Sequence, residues 1–264
     1  MRGVSREHRS PGLAERTVGE ALRSFAQIMG CPVAYLERPR VVTVERIHDP
    51  QPVVRTFLRE AIGVVSVPSP HAVSLALDPA QVQELLALTR QDVAAGATLS
   101  VRAARLVVSS DPASVSVIDE QTLSPTPAGM AVLVYQPMAE AIDELRHEVG
   151  DAEWRANGTS SLVMRRVGAL RGGSLVALAS AEPAEGRLSR IRVLVAPGFS
   201  GAGIGELVLH ALARLVLQDG LVPYVRLAAT DLTARAMART VGFVTFARGL
   251  TLQVTVAQPG FAPA

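Results

Sequence analysis

The feature that most constrains this chain is a glycine-rich loop between a predicted strand and a long amphipathic helix. The strand is Leu188–Val195, and the loop that follows it carries Gly201, Gly203 and Gly205. After the loop, apolar residues recur at spacings of three and four, which is the strongest helical period in the sequence: Leu207, Val208, Ala211, Leu212, Leu215 and Val216. The order of strand, loop and helix predicts an α/β unit around this segment.

A loop of this kind is suited to binding an anion. Backbone N–H groups and the positive end of a helix dipole point out of the start of a helix. Glycine lets the main chain approach phosphate oxygens without a Cβ atom in the way. The alternative is a turn in which glycine only allows the strand and the helix to pack closely.

Two common phosphate-binding motifs do not fit the loop. The dinucleotide motif G-x-G-x-x-G, started at Gly201, requires glycine where the chain has Glu206, and a carboxylate beside a diphosphate is unfavourable. A Walker loop needs lysine after its glycines, and the sequence contains no lysine.

The loop and a second motif together resemble the GCN5-related N-acetyltransferase (GNAT) superfamily. The run from Val195 to Gly205 resembles the acetyl-CoA loop of that family. The later run Asp231–Phe243 resembles its second motif, in which Asn or Asp opens a short helix that ends in Gly-Phe. Gly220–Arg226 further resembles a bacterial subgroup with an extra N-terminal half. The resemblance covers roughly residues 150–256.

The resemblance implies a mixed α/β (α+β) fold, with a splayed sheet flanked by helices. The strand ending at Val195 and the strand starting near Tyr224 are expected to part, with pantetheine between them. Acetyl-CoA (coenzyme A) is the implied cofactor. The implied cofactor-binding residues are Val193, Leu194, Val195, Ser200, Gly201, Ala202, Gly203, Ile204, Gly205, Asp231, Ala234, Arg235 and Ala238.

The chain departs from the family at positions that matter for chemistry. Ser200 stands where members usually have Arg or Gln, so one charge facing the phosphates is missing. Ala238 occupies the position of the tyrosine that serves many members as the acid, although the resembled subgroup also tends to have a small residue there. Arg190 and Arg192 stand where many members carry a glutamate base.

Tyr224 and Asp231 remain as catalytic candidates. Tyr224 opens the strand beside the expected gap, and a phenol can protonate a departing thiolate, but an amphipathic residue at a strand start explains it equally well. Asp231 also fits the N-cap of a helix. His210 has Glu206 and Arg214 one turn away on either side, which predicts a solvated helix face. Glu153 and Trp154 lie near the expected acceptor side and are candidates for substrate contact, although a place in the core explains Trp154 equally well.

Composition limits the partners of the protein. A net charge of +2 gives no argument for nucleic acid or an anionic membrane. Cys31 is the only cysteine, and the histidines lack ligand-like spacing, so no metal site is predicted. No apolar stretch reaches the roughly 20 residues of a membrane helix. The expectation is a cytoplasmic bacterial protein, a monomer or a homodimer.

The sequence divides into two regions. Residues 1–130 are predicted to form an N-terminal α/β region of unknown role, with helices at Glu15–Met29, Pro52–Ala61 and Pro79–Thr89. This region shapes the acceptor site, is a decayed second copy of the same fold, or mediates dimerisation. Residues 131–264 are predicted to form the GNAT acyl-CoA-binding domain, which closes with two strands, Val244–Ala247 and Thr251–Val256.

Two functions from different classes fit these features. The first is an N-acetyltransferase enzyme that moves an acetyl group from acetyl-CoA to a primary amine. Its acceptor is a small-molecule amine or a peptide N-terminus. The second is a catalytically degenerate acyl-CoA-binding protein with a sensory or scaffolding role, which the missing acid and base favour.

Overall fold

A computed structural model describes residues 12–46, 53–68, 77–91, 97–101, 104–109, 113–127, 131–158 and 162–256. Its helices are α1 Glu15–Met29, α2 Ala34–Glu37, α3 Pro79–Arg90, α4 Ala139–Val149, α5 Asp151–Asn157, α6 Ile204–Gln218 and α7 Leu232–Val241. Its strands are β1 Arg40–Arg46, β2 Val53–Arg59, β3 Ile62–Pro68, β4 Thr98–Val101, β5 Ala104–Val108, β6 Ala113–Val117, β7 Val132–Tyr135, β8 Arg165–Arg171, β9 Ser174–Pro183, β10 Leu188–Val195, β11 Val222–Ala228 and β12 Val244–Val256.

The strands form one mixed, open sheet flanked by helices, so the predicted fold class is confirmed. The strand order is β1-β3-β2-β12-β6-β11-β10-β9-β8-β7, and β5 adds to β12 and carries β4. The β1–β3 and β10–β11 pairs are parallel, whereas the other pairs are antiparallel.

The sheet opens between β10 and β11. These strands pair only from Leu188 to Arg190 on one side and from Val222 to Tyr224 on the other. Beyond Arg190, β10 stays paired with β9 up to Val195, and β11 stays paired with β6. Each strand therefore keeps its outer neighbour while the two separate from each other, which leaves a wedge in the sheet.

Different helices cover the two faces of the sheet beside the wedge. On one face, α6 packs through Val208 and Leu212 into a core that includes Ile191 of β10 and Val225 of β11. On the other face, α4 packs against Leu194. That face continues to α1, whose residues pack against Leu188, Val222 and Phe246. Because side chains alternate along a strand, odd and even positions of β10 belong to different cores.

One helix prediction and one strand prediction need correction. The predicted helix Pro52–Ala61 is wrong, because the structure has β2 there, paired with β3 and β12. This strand is buried on both faces, so its sequence lacks the alternation that distinguishes a strand from a buried helix. The predicted closing pair is one strand, β12, whose register shifts between Thr245 and Ala247.

The sheet crosses the boundary predicted at residue 130. Strand β6 precedes that boundary, yet it lies between β11 and β12 and pairs with both of them. The division into two domains stays a prediction. The structure adds that the C-terminal part of the sheet is continuous only with β6 in place.

Candidate active site

The wedge between β10 and β11 leads into a cleft of about 650 Å³. Its walls come from β10, the loop after it, the first turns of α6, the separated part of β11, and α7. Glu153 and Asn157 of α5 and Ala113 of β6 complete the lining. The cleft has the size of a binding site for a small molecule or a cofactor.

The loop before α6 presents free main-chain donors. Within the part of the chain that the structure describes, no protein acceptor is found for the N–H groups of Gly201, Gly203, Ile204, Gly205 or Glu206. Such groups at a helix start are partnered by side chains, water or ligands. The loop therefore keeps the donors that an anion would need.

The other amides of this loop are used locally. Ser200 N–H donates to the Pro197 carbonyl and Ala202 N–H donates to the Phe199 carbonyl, both at 3.4 Å. Gly203 has φ +74° and its carbonyl accepts the first bond of α6, from Leu207 N–H at 3.2 Å. This left-handed conformation suits glycine, as does φ +78° at Gly201.

Gly205 has a packing role in addition to its free amide. A Cβ atom there would lie 2.8 Å from the Met237 sulfur and 3.3 Å from a methyl carbon of Val195. The absence of a side chain lets α6 approach α7 and β10 closely. Close packing is therefore a feature of the loop at Gly205, and anion binding by its free amides stays a prediction.

The residues implied as cofactor-binding divide into two groups. Those that line the cleft are Val193, Val195, Ser200, Gly201, Gly205, Asp231, Ala234 and Ala238. Leu194 lies on the other face of the sheet, 1% exposed, in the core of α4. The Ile204 side chain is buried beside α6, and Ala202 and Gly203 are outside the lining. Arg235 donates to the Ala229 carbonyl at 2.9 Å instead of lining the cleft.

The two catalytic candidates are placed differently. Asp231 lines the cleft and caps α7, because its side chain accepts from Ala234 N–H at 2.9 Å. Tyr224 is outside the lining and packs edge-on against Phe25 of α1, with ring centroids 6.3 Å apart. Burial raises the pKa of Tyr224, and the charges of Arg190 and Arg226 oppose that rise. A raised pKa keeps the phenol protonated, as an acid must be.

His210 is not on a solvated face, contrary to the prediction. Its side chain is 3% exposed, and its Nε2 lies 2.9 Å from the Ser124 carbonyl oxygen. A carbonyl only accepts, so Nε2 carries the proton. Burial lowers the pKa of His210, the bond to Ser124 opposes this, and Arg214 lowers it further. The charged neighbours one turn away did not reveal that the loop at Ser124 covers this helix position.

Sequence reasoning missed that three arginines gather in the cleft. Arg190 and Arg192 of β10 and Arg226 of β11 all line it. Arg190 and Arg192 were noted only as replacements for a glutamate, and Arg226 received no role. Burial lowers the pKa of Arg190 first, and the nearby charge of Arg192 lowers it further. The available signal was the two-residue spacing of Arg190 and Arg192, which places both side chains on the same face of β10.

Two other findings concern the described residues. They contain no group of three or more His, Cys, Asp or Glu side chains placed to hold a metal ion. No helix among them is long and apolar enough to cross a membrane.

The sequence family agrees with the geometry of the cleft. Residues 125–243 match the acetyltransferase (GNAT) family. The matched segment includes the wedge, the glycine loop and the helices α6 and α7. The matched segment covers slightly less than half of the chain. No curated protein matches the sequence.

Solved structures of GNAT proteins resemble parts of this chain. An acetyltransferase from Novosphingobium aromaticivorans is 18% identical over 61% of this chain and 70% of its own, with a TM-score of 0.44. A GCN5-related N-acetyltransferase from Sphaerobacter thermophilus is 14% identical over 79% of this chain and 61% of its own, with a TM-score of 0.45. A tandem GNAT protein from the clavulanic acid biosynthesis pathway is 19% identical over 59% of this chain and 56% of its own, with a TM-score of 0.44.

Proposed function

We propose that this chain is an N-acetyltransferase that moves an acetyl group from acetyl-CoA to a primary amine. The observation that carries the proposal is the pairing of two features in one cleft. The sheet parts between β10 and β11, and Gly201 and Gly205, whose amides are free among the described residues, line the same cleft. Either feature alone would be weak evidence.

The residues of the cleft fit coenzyme A. The amides of Gly201, Gly203, Ile204 and Gly205 would hold the diphosphate, supported by the helix dipole of α6. Among the described strands, none pairs with the wedge-facing edge of β10 from Ile191 to Val195, so this edge can hydrogen-bond an extended pantetheine arm as a strand would. Ala234 and Ala238 offer a small, apolar wall on α7.

The chain itself must orient the amine and handle its proton. Acetyl-CoA supplies an acetyl group already activated as a thioester. Transfer forms a C–N bond, breaks the C–S bond, and passes the proton that the amine loses to the departing sulfur. The amine must be neutral to react, so a base that lies within reach is useful.

Three carboxylates of described residues line the cleft: Glu153, Glu206 and Asp231. Asp231 is engaged as a helix cap, and Glu206 lies beside the loop that would hold the diphosphate. Glu153 lies on α5, and its Oε1 accepts from Asn157 at 2.7 Å. We assign Glu153 the removal of the amine proton. Tyr224 stays the candidate acid, which requires its ring to turn from Phe25 towards the wedge.

The test combines calorimetric titration with acetyl-CoA and measurement of thiol release across a panel of amines. We expect micromolar binding of acetyl-CoA and release of thiol that depends on the amine. A lack of binding at millimolar acetyl-CoA would end the proposal.

A second candidate function is CoA binding without turnover. The observation that favours it is the position of Tyr224 outside the cleft lining, together with the buried Ala238 where an acid would be useful. Tight binding of acetyl-CoA with no acetylation of any amine supports this candidate. Acetylation of a defined amine contradicts it.

A further inference from the structure

The cleft contains an arginine patch, which we define as Arg190, Arg192 and Arg226. Arg190 lies opposite Tyr224 in the last pair that joins β10 to β11. Arg192 and Arg226 follow two residues later on their own strands, where the strands part. The patch therefore sits on both sides of the point at which the wedge begins.

All three side chains belong to the face of the sheet opposite α6. Arg190 and Arg192 share the parity of Leu194, which packs against α4. Arg226 shares the parity of Val222 and Tyr224, which pack against the cluster around α1. The odd residues Ile191 and Val225 lie instead in the core of α6. The patch consequently lies between α4 and α1, on the face away from the helix that carries the loop.

The patch is also distant from the glycine loop along the strand. Five residues separate Arg190 from Val195, which is about 16 Å of extended chain, and the loop begins beyond Val195. A diphosphate on the loop amides is therefore out of reach of Arg190. The patch lies near the inner end of the cleft, where the thiol arm and the acceptor would meet.

Arg190 and Arg192 differ in their contacts within the patch. Glu182 of β9 pairs with Arg192 at 3.2 Å and lies opposite Arg190 in the β9–β10 register. In the described part of the chain, the Arg190 side chain makes no hydrogen bond or ion pair, although it is half-buried. Arg190 therefore brings to the cleft a guanidinium group that has no partner among the described residues.

Other acidic groups line the cleft but lie on other elements. Glu153 is on α5, Glu206 on α6 and Asp231 before α7. Burial lowers the pKa of Arg226, and the charge of Arg190 lowers it further. Gathering like charges in a half-enclosed site is unfavourable unless an anion joins them.

We propose that the arginine patch binds an anionic group, a carboxylate or a phosphate, on the amine that the enzyme acetylates. This inference rests on the proposed function, since it names the class of acceptor for the same cleft. Guanidinium groups bind both anions through two parallel hydrogen bonds, which fixes orientation as well as charge. An anchored anion would place the amine of a short acceptor beside the thioester.

The test uses three acetylated ligands with one short skeleton. N-acetylglycine carries a carboxylate, N-acetyl-O-phosphoethanolamine carries a phosphate, and N-acetylethanolamine is neutral. Titration of the full-length protein is expected to show at least tenfold tighter binding of one anionic ligand than of the neutral ligand. Comparison of the two anionic ligands decides between carboxylate and phosphate.

Arg190→Gln is expected to reduce that preference to less than threefold. Arg165→Gln is the matched control, because Arg165 pairs with Asp219 outside the cleft, and it should retain the full preference. Equal binding of all three ligands by the unaltered protein would overturn the proposal. So would a loss of coenzyme A affinity in Arg190→Gln as large as its loss of anionic-ligand affinity, because the patch would then serve the cofactor.

A kinetic measurement separates this proposal from the proposed function. Glycine, O-phosphoethanolamine and ethanolamine are compared as acceptors by thiol release from acetyl-CoA. Transfer without preference for an anionic acceptor leaves the acetyltransferase proposal standing and refutes the role of the patch. Preferential binding of an anionic ligand without any transfer keeps the anion site and refutes the enzyme.

Discussion

The two ends of the cleft would bind anions by different chemistry. At the glycine loop the donors are main-chain amides from consecutive residues, held by the start of α6. At the arginine patch the donors are charged side chains from two strands, β10 and β11. The parallel pairing of these strands brings the side chains together. Anion binding by the amides depends on the backbone conformation of the loop. Anion binding by the guanidinium groups depends on their charge and on the side chains around them. The comparison shows that one cleft can combine a local site with a site assembled by tertiary structure.

A negative charge placed at the glycine loop should reduce the affinity for acetyl-CoA more than any other change considered. Gly201 is exposed with φ +78°, a conformation that Asp and Asn tolerate better than other residues. Gly201→Asp should weaken acetyl-CoA binding by about 30-fold, which is about 2 kcal/mol of repulsion at the distance of a near neighbour. Gly201→Asn has the same shape without charge.

Calorimetric titration of both Gly201 variants with acetyl-CoA checks this prediction. The Asn variant should lose much less affinity than the Asp variant. Equal losses of affinity in the two variants would mean that the shape of the side chain, and not its charge, matters at the loop. That result would contradict anion binding at the glycine loop.

The next effect concerns the geometry of the patch. Arg226→Gln should lower kcat/KM for the preferred anionic acceptor by about tenfold, because both the charge and the forked donor are lost. Arg226→Lys keeps the charge and loses the fork, so we expect a smaller loss, about threefold. Initial rates of thiol release at several acceptor concentrations measure both. If Lys is as harmful as Gln, the charge of the patch is not its function.

A smaller effect is expected on stability from the backbone of the loop. Gly203 precedes α6 with φ +74°, so Gly203→Ala should cost about 1 kcal/mol of unfolding free energy. Gly203→Asn should cost less, since Asn adopts left-handed conformations more readily. Urea unfolding of the three proteins provides the measurement. Unchanged stability in Gly203→Ala would show that the loop does not depend on this conformation.

The smallest effect is a pH dependence of stability. It comes from a buried histidine and not from the glycine loop or the arginine patch. Amides and guanidinium groups do not titrate near neutral pH, but buried His210 does. Burial lowers its pKa below the ordinary value of 6.5, so the unfolded chain binds a proton more readily than the folded chain. Stability should therefore be complete above about pH 6.5 and decline as the pH falls below that value.

Urea midpoints between pH 5 and pH 8 test this sign. In His210→Gln, which keeps a side-chain donor near the Ser124 carbonyl, the decline below pH 6.5 should be shallower. A decline of the same slope in both proteins would assign it to other groups.

The elements that the sequence predicted well are those with a clear local signal. Helix α1 has the bounds expected from its apolar spacing, and β10 has the bounds expected from its partial alternation. The glycine loop and the N-cap at Asp231 were likewise found where their local motifs placed them. Strand β2 was missed, because burial on both faces removes the alternation that a single sequence can show.

The elements around the loop follow from local sequence alone, because capping, glycine conformation and apolar period act over a few neighbouring residues. Three facts required the folded chain: β6 completes the C-terminal part of the sheet, His210 is buried, and Arg226 lines the same cleft as Arg190. These facts depend on strand register and on which helix covers which face. Register joins strands that are distant in the sequence, so the pattern of one strand shows which residues share a face but not which strand lies beside it.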